Sequence, residues 1–292
     1  MAIPMEVEPV VRMQSASVER RRVAHVDLDD TLTRGLILEP LVSDQLREGI
    51  ISLSSPDLTR LMTEIKGYKH GRKGQPSNIM GLNLYWARLC EGIPYVDLLD
   101  HATRFIRQNK NQFAPYAPYV FDIFNEKDYD SWVDTGEPSF VADAVVKEFG
   151  ATGRCSTNWR TEWRKGNLVV CGVELPMTSK QKGEWAEKLF TDEENRAGNT
   201  REHSICLVDS ANDIALTTAV EYSVVCGTPS PVLLDHLKAT GRNYSVPRPE
   251  EVIHVVDKLT SFDNPRPPRK YRFISIPRGE SFIVKKQKLK AV

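Results

Sequence analysis

The chain has 292 residues, enough for one large domain or two smaller ones. Lys plus Arg and Asp plus Glu balance at 39 each, so no global charge field favours nucleic acid or an anionic membrane surface. Five scattered cysteines, mostly inside apolar runs, argue against a disulfide framework or a zinc site. No apolar run approaches the roughly 18 residues of a membrane span, and the N-terminal stretch lacks a signal peptide's apolar centre, so a soluble cytoplasmic protein is expected.

The first element is "RVAHVDL", an apolar strand that runs into Asp27, Asp29 and Asp30. Side chains two apart on a strand share a side, so Asp27 and Asp29 are expected to project together at its carboxyl end, where open α/β sheets place ligands. Two neighbouring carboxylates repel unless a cation or a proton offsets one, and a hard divalent ion such as Mg²⁺ is the natural partner.

From Gly35 to about Gln112 the periodicity is helical, in pieces such as "LEPLVSDQLREGI", "SPDLTRLMTEIKGY", "NIMGLNLYWARLC" and "VDLLDHATRFIRQ". Ser55-Pro56 offers an N-cap followed by a first-turn proline. "GYKHGRKGQPSN" reads as a basic link within this helical module.

Strands and helices then alternate: "YDSWVDT" with "PSFVADAVVKEFG", "HSICLVDS" with "NDIALTTAV", and "EYSVVCG" with "PVLLDHLKAT". Such alternation predicts a doubly wound, Rossmann-like α/β core with a parallel sheet, interrupted after its first strand by an all-helical insertion. Residues 153 to 176 predict a hairpin turning at Lys165-Gly166, with Trp159 and Trp163 on one face. The expected organisation is residues 1–34 as the N-terminal segment and first strand, 35–112 as a helical cap, 113–262 as the rest of the core, and 263–292 as a basic extension.

Strand ends supply a second set of polar groups. "VDSAND" carries Asp209, Asn212 and Asp213; "WVDTGEP" carries the Thr135 hydroxyl and Gly136, whose backbone can approach a ligand closely. Lys182 lies near the start of the helix "SKQKGEWAEKLF". Carboxylates, a hydroxyl, a lysine and more carboxylates, in that order, form a kit for holding a phosphate against a metal.

In these motifs, "DLDDTLT", "DTGEPSF", "KGEWAEKL" and "VDSANDIAL", the chain resembles the haloacid dehalogenase superfamily of phosphatases, more closely its phosphoserine-phosphatase-like branch. The resemblance implies that Asp27 attacks phosphorus to give an aspartyl-phosphate and that Asp29 serves as acid and then base. It implies Mg²⁺ bound by Asp27, Asp209 and the backbone carbonyl of Asp29, with Asp213 tuning the site. Thr135, Gly136, Lys182 and Asn212 would hold or orient the phosphate. A helical cap in this position implies a small-molecule phosphate ester as substrate.

Three departures mark this chain: Val208 before the fourth-motif Asp, Glu137 after Gly136, and Leu36 where phosphoserine phosphatases carry a Glu for the substrate's amine. Phosphoserine is therefore not the expected substrate, although Glu39 could serve if the alignment shifts. Lys66, Lys69, Arg72, Tyr85 and Arg88 are candidate specificity residues in the insertion. The tail from Arg266 has nine basic residues against one acidic. It reads as a solvated extension, a subunit contact giving a homo-oligomer, or a polyanion site; its few aromatic residues disfavour nucleic acid. The alternatives to a phosphomonoesterase are a nucleic-acid end-processing phosphatase using that tail, a phosphotransferase on the same core, and a non-catalytic scaffold.

Overall fold

The computed structural model describes residues 22–69, 75–191 and 200–261. The expectations for the N-terminal segment before Arg22, for the "HGRKG" link with Arg72, and for the basic extension lie outside the described residues.

A seven-stranded sheet has the order β4-β3-β2-β1-β5-β6-β7. Its strands are β1 (Arg22–Asp27), β2 (Tyr129–Pro138), β3 (Gly153–Arg164), β4 (Asn167–Leu175), β5 (Thr200–Val208), β6 (Tyr222–Val225) and β7 (Asn243–Ser245). All pairings are parallel except β3 with β4. In β1, consecutive Val23, Ala24, His25 and Val26 are all buried, the pattern of a strand covered on both faces.

The helices are α1 (Leu38–Arg47), α2 (Pro56–Gly67), α3 (Pro76–Leu89), α4 (Tyr95–Gln108), α5 (Ala117–Glu126), α6 (Ser139–Phe149), α7 (Ser179–Thr191), α8 (Ile214–Ala219), α9 (Pro231–Thr240) and α10 (Val252–Thr260). The first five fall between β1 and β2, and α1 to α4 lie in the segment whose periodicity is helical. Ser55 caps α2, its side chain accepting from Asp57 N. Among the described residues no helix is long and apolar enough to cross a membrane.

One buried apolar cluster runs from the sheet, at Val26 and Val133, into these helices at Leu61, Trp86 and Leu98. At its centre Trp86 of α3, Phe140 of α6 and Trp159 of β3 meet edge to face, with centroids 5.2 to 5.4 Å apart. Edge-to-face pairs of this kind add about 0.5–1.5 kcal/mol each beyond the area they bury. The trio therefore anchors the inserted helices to the sheet.

The hairpin turns at Lys165 and Gly166, both at positive φ. The two register shifts of the hairpin fall in β4, where Glu174 and Cys171 are the extra residues, so alternation along β3 is unbroken; Trp159 is buried against the core, and Trp163, beside the turn, is exposed.

Strand order reverses between β1 and β5, which opens a crevice above their carboxyl ends. Asp27 closes β1 and Asp209 follows β5, one on each side of that crevice.

Candidate active site

The chain leaves β1 at Asp27 and turns sharply. Asp29 has φ −73° and ψ 128°, and Asp30 adopts the left-handed region at φ 60°. Asp29 is thus on the turn and not on the strand, and the alternation rule does not account for its position. It is held by Ile37 N, which donates to Asp29 Oδ1 at 2.9 Å. Gly227, at φ 61°, passes so close that a Cβ there would collide with the Asp30 carbonyl oxygen.

Lys182 lies in the first turn of α7 and is fully buried. Its Nζ donates to Asp27 Oδ1 at 2.5 Å and to Asp213 Oδ1 at 2.7 Å. Next in the chain is Gly183, where a Cβ would come within 2.7 Å of Ala215 Cβ; the bare glycine lets α7 dock against α8. Asp213 also closes a capping box, its Oδ2 accepting from Ser210 N and Oγ. It therefore serves both as a helix cap and as a partner of the buried lysine.

Carboxylate oxygens of Asp27, Asp209 and Asp213 lie within 4.8 Å of one another, and all three residues are buried. Burial pushes the Asp27 carboxyl well above its usual range, and Asp213 and Asp209 add to this while Lys182 opposes it. Burial alone would lower Lys182, yet Asp213 and Asp27 outweigh it and hold the ammonium above its ordinary value. One lysine cannot balance three enclosed carboxylates. The donor set is all oxygen, and the buried Asn212 Oδ1 beside it has no hydrogen-bond partner. Both features fit a hard divalent cation such as Mg²⁺.

A second acid–histidine group, Asp44, Glu48 and His101, is also compact. Arg47 pairs with Asp44, and Arg104 lies 3.2 Å from Glu48, so an ion-pair network already balances its charge.

Above Asp27 a cavity of about 40 Å³ is lined by Asp29, Gly136, Glu137, Asn212, and Leu36, Tyr68, Ile79 and Asn83 from the helical segment. Asn83 Nδ2 donates to Gly136 O at 2.9 Å while its Oδ1 accepts from Trp159 Nε1 at 3.0 Å, which ties α3 to the end of β2. Burial raises the Tyr68 hydroxyl well above its ordinary value, with Asp29 and Asp209 the leading charges. Glu137 is also pushed up, first by burial and then by the Asp29 charge.

Asp27, Asp29, Lys182, Asp209, Asn212, Asp213 and Gly136 therefore gather at one mouth. Thr135 sits directly beneath, fully buried, with Oγ1 accepting from Glu137 N at 3.1 Å. The candidates in the insertion fare otherwise: Lys69 pairs with Glu39 at 2.6 Å, and Arg88 reaches Asp57 and the Tyr85 ring. Tyr68 and Asn83 occupy the wall instead. No pattern in the sequence singles them out, since one aromatic and one amide on amphipathic helices read as ordinary packing.

No family model and no curated protein sequence matches the chain. Solved structures do. A protein of unknown function from Bordetella pertussis Tohama I aligns at TM-score 0.58 and 21% identity, over 77% of this chain and 98% of that one. A phospho-aspartyl intermediate analogue of phosphoserine phosphatase aligns at TM-score 0.50 and 16% identity, over 75% and 91%. The chain shares the fold of these structures. Cytosolic 5'-nucleotidase IIIB bound to cytidine also aligns, at TM-score 0.53 and 15% identity over 82% and 85% of the two chains. Within this fold the Asp27 crevice is the position in which acids from β1 and β5 face one another across the strand-order reversal.

Proposed function

We propose that the protein is a Mg²⁺-dependent phosphomonoesterase acting on a small soluble phosphate ester through an aspartyl-phosphate on Asp27. The observation that carries the reading is the buried bridge from Lys182 to Asp27 and Asp213, with Asp209 in the same cluster. Such a concentration of charge is costly to bury and serves phosphoryl transfer, which is catalysed mainly by positioning and charge neutralisation.

In this reading an Asp27 oxygen attacks phosphorus while the ester P–O bond breaks, and Asp29 gives its proton to the departing alkoxide. Asp29, now ionised, takes a proton from water as that water attacks the phosphorus of the acyl phosphate, which returns Asp27 and inorganic phosphate. Asp27, Asp209 and the backbone carbonyl of Asp29 would hold Mg²⁺, with Asp213 behind them; bound there, the ion would neutralise phosphoryl oxygens. Lys182 fixes Asp27 and adds a positive charge beneath the phosphoryl group. Thr135, Gly136 and Asn212 orient the oxygens. Helices α1–α4 with the residues that flank them act as a cap, in which Leu36, Tyr68, Ile79 and Asn83 exclude water.

The test is phosphate release from a broad panel of phosphomonoesters with Mg²⁺, run on wild type and Asp27→Asn. Release by the wild type and none by a folded Asp27→Asn protein is expected; a substitution that leaves release intact rejects the mechanism.

A further inference from the structure

Glu137 is the one acid of the cavity that the phosphoryl-transfer scheme leaves without a task. It lies two residues beyond Thr135 at the end of β2 and is 3% exposed. It lines the cavity beneath Leu36, Tyr68 and Ile79. It lies close enough to Asp29 to feel its charge, and Glu137 Oε2 is buried with no hydrogen-bond partner. An acceptor buried in that state costs free energy unless something else supplies the donor.

The placement says where the donor comes from. Under the phosphatase reading, on which this inference rests, Asp29 meets the ester oxygen of the leaving alcohol. Glu137 adjoins Asp29, so its unsatisfied oxygen faces the next atoms along that alcohol. Leu36, Ile79 and Leu82 form the apolar part of the wall, and the polar groups that also line it, Tyr68, Asn83, Ser210 and Asn212, give Glu137 Oε2 no hydrogen bond. We propose that Glu137 is the specificity-determining residue of the leaving-group pocket, accepting a hydrogen bond from a hydroxyl or ammonium group carried a carbon or two from the ester oxygen. Leu36, at the cavity wall, packs against the apolar part of the same alcohol.

Three esters of equal heavy-atom count separate the possibilities: 2-hydroxyethyl, 2-aminoethyl and n-propyl phosphate. The measurement is kcat/KM for each, with Mg²⁺, on wild type, Glu137→Gln and Glu137→Leu, with a thermal melt to verify folding. Wild type is expected to prefer a donor-bearing ester over propyl phosphate by roughly 2- to 10-fold, the range of a neutral hydrogen bond. Glu137→Leu should bring the ratio close to one. Glu137→Gln keeps a neutral acceptor of the same shape, so it should retain the preference; Glu137→Ala takes the place of the leucine variant if that one does not fold. A wild-type ratio near one, or an equal loss on all three esters in both variants, overturns the assignment. Turnover of propyl phosphate without discrimination would leave the phosphatase reading standing and remove this inference alone. Failure of the wild type on every ester would remove both.

Discussion

Lys182 Nζ lies 2.5 Å from Asp27 Oδ1, although the two residues are 155 positions apart in the chain. Lys182 Nζ also lies 2.7 Å from Asp213 Oδ1, so the ammonium bridges two carboxylates. The pair fixes the relative position of β1 and α7, and its removal tests stability and chemistry together.

Replacing Lys182 with Met leaves buried carboxylates without their cation. Breaking a buried ion pair in this way costs about 3–5 kcal/mol. Chemical denaturation in EDTA should show a loss of that order, and Mg²⁺ should recover part of it. Phosphate release by the folded fraction should be abolished. A variant as stable as wild type in EDTA would mean that the carboxylates are not ionised together in the native state.

Mg²⁺ addition should raise the melting temperature of the wild type and leave Asp209→Asn unmoved. An ion that binds only the folded state contributes about 2.7 kcal/mol at a hundred times its dissociation constant. A differential scan with and without EDTA measures the shift. An unchanged shift in Asp209→Asn would put the ion elsewhere.

The Glu137 carboxyl sets a pH dependence of opposite sign to the usual acidic side chain. Burial, then Asp29, raise it above the ordinary value of about 4.3. The folded state therefore holds a proton that the unfolded state releases, and stability falls as pH rises from that ordinary value through the raised one. Glu137→Gln removes this loss. In EDTA, the stability of Glu137→Gln relative to wild type should increase from pH 4 to pH 8; a difference independent of pH would contradict the assigned environment.

Burial pushes the thiols of Cys90, Cys155 and Cys206 up, and that of Cys226 to about 12. Only Cys171 is partly exposed. A thiol reagent at pH 8 should therefore modify one site rapidly in native protein and five after denaturation. Peptide mapping should find the native label on Cys171, and rapid labelling of Cys206 would show the sheet open beside the site.

Much of this architecture is legible in the sequence because it repeats a simple period. The runs around Val26, Leu207 and Val224 mark buried parallel strands, and the fourfold order of polar groups at strand ends locates the crevice. Other features leave no such trace. Asn243–Ser245 is three residues long, too short for any alternation to register. Trp159 is buried and Trp163 exposed although they are four apart on one strand, because Trp163 lies beyond the core next to the turn, which even spacing cannot foretell. Asp29 reaches the site through a left-handed turn at Asp30 and a bond from Ile37 N, not through strand alternation. Tyr68 and Asn83 reach the cavity wall through helix packing, which depends on crossing geometry and not on local pattern. His25 also conceals its partner: its Nδ1 lies 2.5 Å from Asp134 Oδ2, a wholly buried pair formed across β1 and β2.

The decisive measurement is acid quenching during turnover of a phosphomonoester with Mg²⁺, followed by mass spectrometry of the protein's peptides. A phosphoryl group on the peptide that carries Asp27, lost in Asp27→Asn together with phosphate release, is the predicted result. Steady turnover with no phosphorylated protein at any quench time, or with the group on a different residue, would contradict it.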